Sequence, residues 1–336
     1  MCSTKPVSSS APEQPLVAVT GASGFIGRHV LSVLGGAGYR VRIMMRRVPA
    51  EPLSSGSTVE IVRGDLGDSA ALAALVSGAT AVVHLAGCIK ARSRDSYFKV
   101  NRDGTAALAE TVRQHAPDAH FLLVSSLAAR EPQLSDYAAS KQAGETVARQ
   151  WLAPRLTVLR PAAVYGPGDR ETLVFFQLAS RRLVPLPAPM AARVAVIHVG
   201  DLARLIVPLI QAEPRGATLA ATDARPQGYA WSEILQTAAQ AVGNPHPKLF
   251  RPPGALLRSL ALSGDIGNCF ANVNMMTTQK LRELRHLDWS VPATELAHSV
   301  GWQPGYDLVS GFADAVRWYR SAGWLDAVRG TSTGSS

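Results

Sequence analysis

At 336 residues, with 47% hydrophobic and only 18% charged residues, the chain is too apolar to be disordered and long enough for a main domain plus a second lobe. A formal charge of +9 is spread over single and paired cations such as Arg46-Arg47 and Arg181-Arg182, with no long basic runs. That excludes a nucleic-acid arm and favours anionic ligands or lipid headgroups as partners. Cys2, Cys88 and Cys269 are too far apart in sequence for a metal or redox motif, so no metal is expected and a reducing compartment is the natural reading.

Residues 1–15 are rich in Ser and Pro, lack an apolar segment, and read as a loose tail, not a signal peptide. Short apolar runs then alternate with helix-like segments. The strand candidates are 16–20, 41–45, 59–63, 81–85, 121–125 and 156–160; helical spacing fits 26–34, 100–115 and 137–151. Strands alternating with helices give right-handed βαβ units, and hence an α/β fold with a doubly wound parallel sheet covered on both faces. After Arg160 Pro and Gly become frequent; a strand-like run covers 194–199, and helical segments cover 231–242 and 308–319. Residues 16–170 read as the main domain, with 194–221 returning to it. Residues 171–193 and 222–329 read as a smaller substrate lobe, and 330–336 as a second loose tail. No stretch approaches the roughly 18 apolar residues of a membrane span. The expectation is a soluble, cytoplasmic protein whose contact with the inner face of a membrane is peripheral at most.

The strongest local motif is Thr20-Gly21-Ala22-Ser23-Gly24-Phe25-Ile26-Gly27, directly after a strand and opening a helix. Gly21 allows the tight turn, Gly24 lets backbone approach a pyrophosphate, and Gly27 permits close helix–strand packing; the helix N-terminus offers N–H groups to the anion. The spacing is G-x-x-G-x-x-G, and Ser23, Phe25 and Ile26 fall inside the cradle. An NAD enzyme usually carries Asp or Glu at the end of the second strand. Here Met44-Met45-Arg46-Arg47 places a guanidinium there, which suits a 2′-phosphate and points to NADPH, with NADH as the alternative. Asp65-Leu66 follows the third strand, where a carboxylate reaches an adenine amino group. Leu85-Ala86-Gly87 closes the fourth with small residues that let backbone lie against a cofactor. His84 and His198 read as packed strand residues.

Tyr137-Ala138-Ala139-Ser140-Lys141 places a phenol and an ammonium at i and i+4, on one helical face. The expectation is that the Lys141 charge favours phenolate and lowers the Tyr137 pKa. Ser125 and Ser126 end the fifth strand beside the cofactor crevice, and either hydroxyl can hold a substrate oxygen.

These motifs together resemble the extended short-chain dehydrogenase/reductases, the NAD-dependent epimerase/dehydratase family. The likeness continues through Gly64-Asp65-Leu66, Asn101-x-x-Gly104-Thr105, Arg160 to Gly168 and Ile197 to Asp201, and ends at Gly311 with Trp318-Tyr319. It implies a Rossmann-type domain with Tyr137 as proton donor to a carbonyl, Lys141 also on the nicotinamide ribose, and Ser126 on the substrate oxygen. Pro161, Ala163 and Val164 would flank the nicotinamide, and Asn101 would steady the sheet or a water near the site. Tyr137 follows Ser126 by only eleven positions, shorter than in sugar-nucleotide members. In this the chain is similar to a branch containing the respiratory complex I accessory subunit and bacterial reductases of 3-oxosphinganine or 3-oxoceramide.

The reading that results is an NADPH-dependent reductase of a lipid-like ketone. The alternatives are a nucleotide-sugar epimerase, dehydratase or reductase, with Arg181, Arg182 and Arg193 as diphosphate partners, and a non-catalytic NADPH-binding subunit. Arg251 to Leu260 is a leucine-rich segment with arginines; its leucines are expected to pack inside the lobe, with a membrane interface as the alternative. Met275-Met276 likewise reads as core. Oligomeric state is open, a homodimer being one option.

Overall fold

Apolar runs of four to six residues between glycine and polar turns are too short for helices and become buried strands. The computed structural model describes residues 14–47, 59–214, 216–270 and 276–326. The expected tails, apart from residues 14 and 15, lie outside the described residues, as do Cys2 and Met275. The strands are β1 (Leu16–Thr20), β2 (Arg40–Met45), β3 (Val59–Arg63), β4 (Ala81–His84), β5 (His120–Val124), β6 (Leu156–Pro161) and β7 (Ala163–Tyr165). They continue with β8 (Leu183–Pro185), β9 (Arg193–Val194), β10 (Val196–His198), β11 (Thr218–Ala221), β12 (Tyr229–Ala230), β13 (Lys248–Phe250) and β14 (Asp288–Trp289). The helices are α1 (Phe25–Gly36), α2 (Ser69–Val76), α3 (Arg94–Phe98), α4 (Gly104–His115), α5 (Asp136–Leu152) and α6 (Leu173–Ala179). In the second half follow α7 (Val199–Gln211), α8 (Trp231–Val242), α9 (Gly254–Phe270), α10 (Thr278–Arg285) and α11 (Leu308–Ser321).

The main sheet has seven parallel strands in the order β11-β6-β5-β4-β1-β2-β3. Successive side chains of a strand point to opposite faces. Val17 and Val19 of β1 therefore pack with Val83 and Leu122 under Leu31 of α1 and Leu205 of α7. Leu16 and Ala18 pack on the other face with Val82, under Leu72 of α2 and Leu108 of α4. This is the doubly wound Rossmann-type arrangement. The strand order reverses between β1 and β4, which opens a crevice beyond their carboxyl ends.

The second lobe has its own core, with Phe176, Trp231, Leu235, Phe312 and Tyr319 among its members. Its helix α11 packs on the separate two-stranded sheet of β7 and β10. A Cβ on Gly311 would stand 2.0 Å from the Tyr165 hydroxyl, so only glycine lets this helix lie on β7. The fully buried Tyr319 hydroxyl donates to the Asp169 carbonyl at 2.8 Å.

Two expected elements are divided in the structure. The run 194–199 is two strands, because Ala195 between them donates to Trp289 while accepting from Ala163. The same run ends where His198 caps α7, accepting from the Gly200 amide at 3.2 Å. The helix expected over 100–115 begins with a π-helical turn, Lys99–Asp103, before α4. Such turns mark places where a helix yields to a local demand. Here the demand is Asn101, whose carbonyl would lie 2.2 Å from a Cβ at position 144, so α5 packs on this turn through Gly144. Replacing Gly144 by Ala is expected to cost about 1–3 kcal/mol through overpacking. Urea unfolding checks this, as a lowered midpoint at unchanged slope.

Candidate active site

The crevice is built first from backbone. Gly21 has φ +74°, and a Cβ there would stand 2.5 Å from the Ala86 amide nitrogen and 2.6 Å from the Leu85 carbonyl carbon. The glycine turn and the Leu85-Ala86-Gly87 segment thus touch directly. Gly27 is as constrained, with a Cβ falling 2.2 Å from the Gly21 oxygen. Gly24 is different: it is exposed, extended (φ −73°, ψ 175°), and caps α1 with no side-chain partner and no acidic residue in the first turn. Ser23 is exposed beside it, and Phe25 and Ile26 are half-buried as the helix begins. A turn without side chains over unpartnered helix amides is a cradle that fits a dinucleotide diphosphate.

Beneath it lies a buried polar tie. Thr20 Oγ1 and His84 Nδ1 are 2.6 Å apart, His84 Nε2 and Thr105 Oγ1 3.0 Å, and Thr105 donates to the Asn101 carbonyl at 2.8 Å. Burial, with the Lys141 charge added, pushes the His84 pKa down to about 3. His84 is a neutral cross-tie between β1, β4 and α4. Asn101 spends its amide within the protein: Oδ1 accepts from Cys88 N at 2.7 Å, while Nδ2 donates to Cys88 O at 2.9 Å and to Ser140 Oγ at 2.8 Å. It steadies the loop after β4 against α5.

At the far end of the crevice Arg46 is exposed just past β2. Together with Arg63, Asp65 and Asp68 it lines an open cleft of about 560 Å³. Arg63 was not foreseen. It is the register partner of Met45, so two cations come to one sheet end, and its place at the end of the third strand candidate was the available signal. Asp65 Oδ1 accepts from the Gly67 amide at 2.8 Å, which uses one carboxylate oxygen inside its own turn. Leu66 is set apart from the cleft, packed where a Cβ on Gly104 would meet its Cδ1 at 2.6 Å.

At the reaction end the two serines separate. Ser125 is buried and donates to Glu145 Oε1 at 2.6 Å. That carboxylate also takes two hydrogen bonds from Arg160, at 2.9 and 2.6 Å. Ser126 is half-buried, accepts from the Ala128 amide at 3.2 Å, and lies near enough to Tyr137 to hold back the rise of its pKa. The choice that the sequence leaves open therefore resolves in geometry: Ser126 stands with Tyr137, and Ser125 serves the Glu145–Arg160 pair. Pro161 is buried at the end of β6, Val164 half-buried, and Ala163 exposed, its amide bonded to Ala195.

Tyr137 lies in the first turn of α5, whose N-cap Ser135 accepts from Ala138 N at 3.0 Å. Lys141 is buried and its ammonium donates to the Val124 carbonyl at 3.0 Å. The expected lowering of the tyrosine pKa is corrected here. Burial pushes Tyr137 up to about 12; Ser126 works against this, and Glu283, Tyr97 and Cys88 add to it. Burial pushes Lys141 down to about 8, with Glu145 opposing. Desolvation disfavours the charged form of each group, and this outweighs the help of Ser126 to one and of Glu145 to the other. Glu145, Tyr97 and Glu283 were also not foreseen. Glu145 follows Lys141 by one helical turn and was legible as an i+4 partner. Glu283 comes from α10, which accepts from Ser135 at 2.5 Å, while Gln279 bonds Asp136 on both sides. Only the fold brings that helix here.

The family model for the NAD dependent epimerase/dehydratase family matches residues 17–219. The chain belongs to this family. It is 43% identical over 311 residues to the ceramide reductase of Caulobacter vibrioides, covering 92% of this chain and 96% of that protein. It is 27% identical over 157 residues to the mitochondrial NADH dehydrogenase [ubiquinone] 1 alpha subcomplex subunit 9 of Dictyostelium discoideum, across 45% of this chain and 43% of the relative. Among solved structures it superposes on MoeE5 in complex with UDP-glucuronic acid and NAD, with a TM-score of 0.68 and 22% identity over 92% of this chain and 99% of that one. The chain is thus an NAD(P)-dependent oxidoreductase by family, and its fold is that of its solved neighbours.

Substituting Tyr137 by Phe is expected to lower kcat about 10²–10⁴-fold while cofactor binding, read by fluorescence titration, stays near wild type. Glu145 raises the Lys141 pKa, so removing its charge in Glu145→Gln lets Lys141 lose its proton at lower pH. The alkaline limb of the kcat/KM profile is expected to move to lower pH, and an unmoved limb would contradict the coupling.

Proposed function

We propose that the chain reduces a ketone to a secondary alcohol on a long-chain, lipid-like 3-oxo substrate, a 3-oxo sphingoid base or 3-oxoceramide, at the expense of NADPH. The observation that carries this reading is the 43% identity to a ceramide reductase along nearly the whole of both chains. The short connection between Ser126 and Tyr137 supports it, as does the Arg46–Arg63 cleft, whose two guanidinium groups suit a 2′-phosphate.

The bound cofactor supplies the hydride. The chain supplies the proton and holds the oxygen that receives it. With its pKa pushed up to about 12, Tyr137 is a phenol at neutral pH, the form needed to donate to a ketone oxygen and hence suited to reduction. Ser126, whose influence reaches that phenol, holds the same substrate oxygen in this reading. Once the proton leaves, the Lys141 ammonium one turn along α5 offsets the phenolate charge. Glu145, itself balanced by Arg160, helps to keep Lys141 protonated.

Purified protein offered NADPH with 3-oxosphinganine, 3-oxoceramide, short 3-oxo esters and UDP-sugars tests the substrate class. The long-chain ketones are expected to exceed the others by about 100-fold or more in kcat/KM. Selective conversion of a UDP-sugar would replace this reading with the nucleotide-sugar one, and no turnover of any compound would favour a structural subunit. Arg46→Ala is expected to raise the KM for NADPH about 10- to 100-fold, the loss of a charge-assisted contact, with much less effect on NADH. Equal effects on both cofactors would overturn the NADPH assignment.

A further inference from the structure

The sequence leads one to expect the leucines between Arg251 and Leu260 inside the lobe, and the structure divides them. Along α9, Leu257 and Ala261 are buried one turn apart and pack with Leu281 of α10 and Met276. Leu256 and Leu260, also one turn apart, are 51% and 49% exposed. The ribbon of β8 and β13 precedes this helix by three residues. In it Leu183 is paired with Lys248, and Val184 with Leu249. Paired residues of neighbouring strands share a face, so Val184 and Leu249 face the core while Leu183, Lys248 and Phe250 face outward. Leu183 is 57% and Phe250 43% exposed. Four large apolar side chains on the paired strands β8 and β13 and the helix that follows β13 are more than the scattered single residues of an ordinary surface.

Their sequence setting is cationic up to Asp265, late in α9. No Asp or Glu occurs between Thr172 and Gly200, nor between Ile234 and Gly264. Arg181, Arg182, Lys248, Arg251 and Arg258 are all exposed on or beside these elements. None of the five forms an ion pair among the described residues, whereas Lys90, Arg94 and Arg155 of the Rossmann half pair with Glu171, Asp136 and Asp118. Exposed leucines and phenylalanine on elements that also carry unpaired cations are complementary to a surface that is apolar within and anionic at its edge. We propose that the face formed by β8, β13 and the exposed side of α9 docks onto an anionic phospholipid bilayer, the leucines and Phe250 entering the headgroup boundary while the arginines meet phosphate. This goes beyond the proposed reaction and stands without it. For a long-chain substrate the placement has a consequence: α10 packs on α9 by one side and bonds Ser135 and Asp136, beside Tyr137, by the other. The docking face and the catalytic turn are separated by one helix.

Cosedimentation of the full chain with vesicles, read without cofactor or substrate, tests the surface independently of the reaction. Binding is expected to phosphatidylcholine vesicles that contain phosphatidylglycerol, to weaken with salt, and to be absent on phosphatidylcholine alone. R181Q/R182Q is expected to weaken it about 30-fold, the factor that about 1 kcal/mol per cation gives for two charges. L256S/L260S, with its fold checked by circular dichroism, is expected to abolish it. R102Q/R317Q, in the π-helical turn before α4 and on α11, removes the same charge elsewhere and should bind as wild type. No binding to phosphatidylglycerol vesicles, full binding by L256S/L260S, or an equal loss in R102Q/R317Q would overturn the proposal.

Discussion

Everything at the candidate site depends on how β1 and β4 part. They are paired up to Thr20 and His84, and the Leu85 amide still reaches the Thr20 carbonyl at 3.1 Å. One residue later Gly21 and Ala86 lie so close that no side chain fits between them. The chain leaves β1 by a positive-φ turn into α1 and leaves β4 in the other direction, toward the loop held by Asn101. The crevice, the uncapped helix end and the approach to the catalytic helix all follow from that divergence. The buried Thr20–His84–Thr105 tie underneath keeps the strand ends in place without adding charge.

The second constraint is electrostatic. Lys141 and Glu145 are buried on one helix, and neither would remain charged there alone at tolerable cost. Arg160 meets Glu145 with two hydrogen bonds and Ser125 adds a third, so the carboxylate is satisfied while its field still supports Lys141. Removing one member of such a buried set costs more than the net contribution of the pair, because the others are left uncompensated. Burial keeps the Tyr137 phenol from ionising beforehand, which suits proton donation better than proton removal.

The inner strands were legible because they are buried on both faces and so appear as plain apolar runs, 16–20 coinciding with β1; the edge strand β3, half-exposed, still matches 59–63, and 231–242 matches α8. The glycine turn and the Tyr137–Lys141 spacing were legible for the same local reason. What escaped was set by tertiary contact. The π-helical turn at Lys99–Asp103 answers to Gly144 of α5, and the break at Ala195 answers to Trp289, nearly a hundred residues away. The Tyr137 pKa was misjudged because helical spacing shows the neighbouring ammonium but not the burial of both groups. Ser125 could not be told from Ser126 until β5 and α5 were seen to set one against Glu145 and the other against Tyr137. The leucines of α9 escaped because a helix packed on one narrow stripe does not announce which flank meets solvent.

The central claim is net transfer of a hydride to a long-chain ketone, with the proton drawn from this chain. Incubation of the protein with 3-oxoceramide and NADPH deuterated at the transferring position, followed by mass analysis of the product, tests it most directly. The account predicts one deuterium on the carbinol carbon and one cofactor oxidised per product formed. A product without deuterium, or label returned to the cofactor with no net oxidation, would contradict it.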